Sequence, residues 1–326
     1  MNTAVMHGTF RRLQVSRFSS LALTIATLAL TDGCSIKRMA VNKVGDALAG
    51  NGGTFASDND PDLIKDAAPF SLKLIESLLA SSPEHRGLLT AAASGFTQYA
   101  YAFIQEDADE TEAKDLTAAN ALHERAKKMY VRARDYGVRG LAVKRPGFAA
   151  ALRKDPVAAV KACKKRDVPL LYWTAAAWAS AIKLSKDHPE TVAELPIVEA
   201  MIDRALALDE SFGDGSIHGF LIGYELSRPG GGADAAARSR KHYDRALALA
   251  GGCQAGPYVT WAEAVSVQNQ NLAEFKDLLG KALAIDVNAR PENRLLNLVM
   301  QRRARWLLSR VDDLFLVAEP APDKAK

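Results

Sequence analysis

The sequence is short of the features on which enzymes, metal sites and membrane channels are built. It has only three cysteines in 326 residues, no Cys-x-x-Cys pair, and six histidines that share no ligand spacing. That leaves no framework for structural zinc or dithiol chemistry. There is no His-Glu-x-x-His. The stretch Gly213-Asp-Gly-Ser216-Ile-His-Gly219 puts a glycine directly before the serine, so it is not a nucleophile elbow. The glycine-rich loop after Pro229 lacks the Lys-Ser/Thr that a phosphate loop needs. Runs of alternating β-branched residues are scarce, which argues against a sheet. No apolar run reaches the roughly 20 residues that cross a bilayer as a helix. The net charge is +4, falling to +2 once residues 1–33 are set aside, too little for a nucleic-acid footprint. No cofactor and no catalytic constellation are expected.

What is present begins with an export signal. Arg11, Arg12 and Arg17 precede the apolar stretch Phe18 to Leu30, and small residues and a cysteine follow in Leu30-Thr-Asp-Gly-Cys34. A Cys directly after Gly at this point resembles a bacterial lipobox, although Leu30 lies four rather than three residues before it and Asp32 takes a usually small position. The resemblance implies cleavage before Cys34 and acyl chains attached to it. Ser35 follows, with no Asp there to hold the protein at the inner membrane. The expected location is the periplasmic side of the outer membrane. Residues 34–60 read as a lipidated tether, 61–312 as a helical domain, and 313–326 as a disordered tail. In an oxidising compartment, whether Cys163 and Cys253 pair stays open.

Within 61–312 the 3.6-residue period dominates. Asp60 is a candidate N-cap with Pro61 at the first helical position. Further helices are expected over 88–105 and 117–136, the latter ended by Gly137, and again from 170 to near 310. Three helices close alike, at Arg204-Ala-Leu-Ala-Leu-Asp209, Arg245-Ala-Leu-Ala-Leu-Ala250 and Lys281-Ala-Leu-Ala-Ile-Asp286. Ala205, Ala246 and Ala282 are 41 and 36 residues apart, the tetratricopeptide period of about 34 with small insertions. A small residue lets the next unit pack closely, and Ile202, Tyr243 and Leu279 three positions earlier fill the gap inside each pair. Glu263 departs from the pattern by standing where a small residue usually sits. The expectation is an all-α chain, an α-solenoid of tetratricopeptide-like helix pairs with cryptic repeats. Stacking then leaves a concave surface lined by the first helix of each pair. Glycines 251 and 252 should separate two units.

The candidate binding residues are aromatic. Tyr172, Trp173 and Trp178 share one helix, but Trp173 and Trp178 are five positions apart and diverge by about 140° at 100° per residue. One can fill the core while the other lines a groove. Lys164-Lys165-Arg166 reads as a solvated basic face, and Asp214 and His218 can share a helix face at i, i+4.

Tyr172-Trp-Thr-Ala-Ala-Ala-Trp178, Ala181-Ile-Lys-Leu-Ser185 and Met201-Ile-Asp-Arg-Ala-Leu-Ala-Leu-Asp-Glu-Ser-Phe-Gly-Asp-Gly215 resemble the T component of tripartite ATP-independent periplasmic (TRAP) transporters. Gln98 to Phe103, Arg132 to Gly137 and Pro146-Gly-Phe148 are similar to it too. The resemblance implies a periplasmic lipoprotein without catalytic residues. It also implies self-association as a trimer, pairing with the transporter's periplasmic solute-binding protein, and a cavity that passes or holds an apolar ligand. The competing reading is a general scaffold for outer-membrane assembly or envelope maintenance. A hydrolase would need a convergent acid, base or nucleophile group, which the sequence does not offer.

Overall fold

A computed structural model describes residues 42–47, 52–230 and 232–316. Among these residues every regular element is helical and no strand occurs. The first long helix is α1 (Pro61–Ser81), where the Asp60 carboxylate accepts from the Asp62 and Leu63 amides and Pro61 opens the first turn. Two of the four orphan amides at that end are thereby satisfied. α2 starts as Arg86–Tyr99, passes through a π-helical segment at Ala100–Gln105, and continues as Glu106–Glu112. α3 is Leu116–Ala142, capped by Asp115. Two short helices follow, α4 (Phe148–Lys154) and α5 (Pro156–Lys161). Then come α6 (Val168–Lys183), α7 (Leu195–Leu208), α8 (Ser216–Ser227) and α9 (Ala235–Ala250). α10 (Gly256–Trp261) runs into a second π-helical segment at Ala262–Ser266, and α11 (Leu272–Leu283) and α12 (Arg294–Ser309) complete the body.

The elements pack as antiparallel pairs, α2 with α3, α6 with α7, α8 with α9 and α10 with α11. The repeat residues sit where the sequence places them. Ala205, Ala246 and Ala282 are buried at the close contacts, and Ile202, Tyr243 and Leu279 are buried inside the pairs. Gly251 and Gly252 both have positive φ and turn the chain from α9 into α10, between two helix pairs. The chain is thus an all-α solenoid. Three buried clusters run along it, one at each end and one in the middle.

Four details differ from the expectation. Gly137 does not end α3, which continues to Ala142. A Cβ at Gly137 would stand 2.0 Å from the Thr174 hydroxyl oxygen, so this glycine serves the close approach of α3 to α6 rather than a cap. α2 is longer at both ends than 88–105, because the π segment carries the helix on to Glu112. The folded body reaches beyond residues 61–312. Gly52–Ala56 is helical and packs against α12, and the Arg294 guanidinium donates to the Ser57 carbonyl. At the other end, Phe315 is buried edge-on against Phe275. Finally, Asp214 does not pair with His218. It adopts positive φ in a tight turn near Arg290, while His218 turns to His242 on α9.

Cys163 is buried, Cys253 is partly buried, and both are free. No described helix is long and apolar enough to cross a membrane.

Candidate functional site

The first helices of the pairs differ chemically from the second. From Gly87 to Gln105 on α2, from Val168 to Ile182 on α6, from Gly215 to Tyr224 around α8, and from Gly251 to Ala262 around α10, there is no Asp, Glu, Lys or Arg. The second helices α3, α9 and α11 are densely charged. A helix apolar all round is one packed on most sides, and the first helices pack both on their partners and on each other, α2 on α6, α8 on α10, and α10 on α12. What remains accessible on these stretches is uncharged and mostly small or aromatic, with Gln98 exposed. On α2 they include Ala91, Ser94, Gln98, Tyr101 and Ala102, and on α6 Tyr172, Trp173 and Ala176. On α8 they include Ser216, Gly219, Phe220 and Gly223. The inner helices therefore present an uncharged wall.

Its aromatic centre lies on α6. Tyr172 meets Trp173 edge-on at 4.9 Å and Phe212 at 5.3 Å between ring centroids. Burial pushes the Tyr172 hydroxyl up to about 12, against a hydrogen bond with Ser216. Phe220 stacks on Tyr224 at 5.4 Å. A Cβ at Gly219 would meet nothing within 4 Å, and one at Gly223 would only touch Thr260 and Ala264 on α10. These glycines leave room beside the aromatic rings.

The structure separates the three sequence candidates. Tyr172 and Trp173 stay together and partly accessible, whereas Trp178 is 4% exposed on the opposite side of α6. Its indole N–H donates to the Glu194 carboxylate at 2.7 Å, and the Arg134 guanidinium lies 5.1 Å over its ring. The 140° divergence thus sorts the two tryptophans, Trp178 to the core and Trp173 to the wall. Cys34 lies outside the described residues.

Sequence reasoning missed a second feature, the seam that closes the array. Tyr101 packs against both the first and the last buried cluster, and its hydroxyl points to the Met300 sulfur at 3.7 Å. Beside it, Arg303 is only 7% exposed. Its guanidinium donates to Asp109 at 2.7 Å, to Glu263 at 2.5 Å and to Glu106 at 3.4 Å. Arg302 donates to Asp107 and Glu110 at 2.9 and 2.7 Å. α12 is thereby bound back to α2 across some 190 positions of sequence. Glu263 belongs to the second π segment and Glu106 directly follows the first, so both irregular turns abut this network. Such π segments recur at functional sites. Burial raises the Glu106 carboxyl to about 7, opposed by Arg303 and reinforced by Asp109 and Glu263. One signal was legible: Glu263 breaks the repeat pattern because it is a partner for Arg303.

No group of His, Cys, Asp and Glu among the described residues is arranged to hold a metal ion. The family model of the TRAP transporter T-component matches residues 57–315. A protein of Treponema pallidum (strain Nichols), named only as uncharacterized, is 31% identical over 320 residues, covering 89% of this chain and 96% of that one.

Proposed function

The chain belongs to the TRAP transporter T-component family, an accessory component associated with a TRAP transporter, and from that membership we propose that it docks the transporter's periplasmic solute-binding protein. The observation that carries the reading is the uncharged inner wall centred on Tyr172 and Trp173. A wall with no ionised group costs an apolar ligand no desolvated charge, and it suits a scaffold that holds or passes such a ligand received from the partner. Its rings supply the rigid contact area that dominates binding energy at interfaces. The stripe Leu63, Phe70 and Leu74 on α1 is exposed and adds an apolar surface of the kind that marks association. Self-association as a trimer belongs to the same reading. Nothing in the charged seam requires catalysis, since each ion there has a partner, and the proposed role is not enzymatic.

The protein works from the periplasmic face of the outer membrane in this reading, held by acyl chains on Cys34. Several chains anchor durably at about 0.8 kcal/mol per buried methylene. Two assays test the reading together. Cys34→Ser should leave the membrane fraction, and the chain used as bait should capture the solute-binding protein encoded beside it. A chain that stays membrane-bound at the same mature mass after Cys34→Ser has another anchor. A bait that captures no such protein at micromolar concentration makes a general envelope scaffold the better account.

A further inference from the structure

Between α3 and α6 the chain leaves the repeat pattern and makes the excursion that contains α4 and α5. Residues 143–167 hold eight Lys and Arg but only two Asp. One aspartate is exposed but engaged as a helix cap, and the other is buried. Asp155 caps α5 by accepting from the Ala158 amide. Asp167 is buried and receives Arg86, Arg145 and the Lys164 amide. Burial alone raises its carboxyl, but those donors outweigh it and hold it below the ordinary carboxylate range. The outward side is left basic. Lys144, Arg153, Lys154, Lys161, Lys164 and Arg166 are exposed, and none has a carboxylate within salt-bridge distance among the described residues. Val157, 68% exposed, stands in the middle of them, with Ala149, Ala150 and Ala158 around it. A chain of net charge only +4 thus carries six exposed, unpaired cations on one short excursion.

The position of that excursion matters as much as its charge. Residues 42–47 enter the body at the α1–α2 turn, where the Ser82 hydroxyl donates to the Asn42 side chain at 2.6 Å and His85 meets the Asn42 carbonyl at 3.2 Å. The next residue, Arg86, reaches Asp167, which also holds Arg145. Arg204 on α7 caps the end of α5 through the Lys161 and Cys163 carbonyls. The entry point of the chain and the basic excursion therefore lie at one end of the molecule, fastened by buried contacts. Asn42 is eight positions after Cys34, a span of at most about 28 Å when fully extended.

We infer that this basic end is a docking surface for an anionic phospholipid leaflet. Its orientation rests on the proposed lipid at Cys34; its chemistry does not. A lipid there brings the α1–α2 end to the membrane surface, and that end carries the clustered lysines and arginines that anionic headgroups attract. Val157 and the exposed alanines supply the shallow apolar contact that accompanies interfacial binding. The consequence is a fixed pose, with the α4–α5 end on the leaflet and the solenoid standing away from it.

The test uses a chain beginning at Ser35, since the described contacts and all three buried clusters lie after that point. Without acyl chains it should sediment with phosphatidylglycerol vesicles, not with pure phosphatidylcholine vesicles, and molar salt should release it, because screening shortens to about 3 Å there. Reversing Arg153, Lys154, Lys161 and Lys164 to Glu should weaken binding at least about a hundredfold, at roughly fivefold per basic residue near a charged surface. Reversing Lys186, Lys241, Lys276 and Arg305 instead, an equal change of charge elsewhere, should leave most of the binding. Melting curves confirm that both variants are folded. Equal partition onto both vesicles, no binding at all, or equal losses in the two variants overturns the inference. So does capture of an acidic protein through the patch by a chain that ignores vesicles. Release of Cys34→Ser in cells is a separate readout, so the anchor and the docking surface can fail independently.

Discussion

The two tryptophans of α6 show how one helix divides between stability and recognition. Trp178 is buried with its N–H satisfied by Glu194 and its ring covered by Arg134. Truncating it opens a cavity and leaves a partly buried carboxylate without its donor. Trp178→Ala is expected to cost about 3–5 kcal/mol, and thermal melting of the purified chain measures it. Trp173 is partly accessible and stacks edge-on with Tyr172. Trp173→Ala should shift the melting temperature far less. A reversed order would put Trp173 in the core and remove it from the proposed wall. At this scale the sequence was informative, because five positions on a helix fix the angle between two side chains whatever surrounds them. It did not say which of the two faces inward. That depends on Glu194 and Arg134, which come from outside the helix.

At the scale of elements, the pairing of α8 with α9 places two imidazoles in contact. His218 and His242 approach at 2.9 Å between their Nδ1 atoms, so one neutral ring donates and the other accepts. Burial is the largest cause holding both below their ordinary value of 6.5. Glu210 works against it at His218, while Arg245 adds to it, and at His242 the neighbouring ring adds to it as well. The unfolded chain then binds more protons than the folded one below 6.5. The stability that the neutral pair contributes is fully present above that pH and is lost as pH falls toward the lowered folded values. His242→Gln keeps a hydrogen-bonding side chain and removes one titration. Its melting temperature should fall less than the wild type's between about pH 7.5 and pH 5.5. A parallel fall in both proteins would show that the pair does not carry the acid sensitivity. The repeat pattern placed α8 and α9 correctly, since it depends on small residues at fixed spacing. The histidine contact was invisible, because the Pro229 loop sets the register between the two helices and its length obeys no spacing rule.

For the whole molecule, the seam decides whether the solenoid is open or closed. Arg302 and Arg303 bind the last helix to the acidic turns that follow the first π segment. Here the pH effect has the opposite sign. The Glu106 carboxyl is raised to about 7 by burial, so the folded chain binds more protons than the unfolded one between the ordinary carboxylate value and that pH. Its contribution is fully present below the ordinary value and is lost as pH rises through about 7. Glu106→Gln should therefore raise the melting temperature more at pH 8 than at pH 5, by about 2–4 °C per kcal/mol relieved in a chain this size. An effect larger at pH 5 would contradict the assignment. The closure could not be derived from the repeat spacing. The run Glu106-Asp-Ala-Asp-Glu110 and the pair Arg302-Arg303 are plain in the sequence, but local periodicity cannot pair segments so far apart.

The central claim is that the closed array meets its partner through the uncharged wall. The most direct measurement is a calorimetric titration of the chain from Ser35 with its transporter's solute-binding protein, repeated with Trp173→Ala. Binding in the micromolar range or tighter, weakened about thirtyfold by the substitution as for a hot-spot residue worth about 2 kcal/mol, is the result this account predicts. Binding that Trp173→Ala leaves unchanged, with both proteins melting alike, would contradict it.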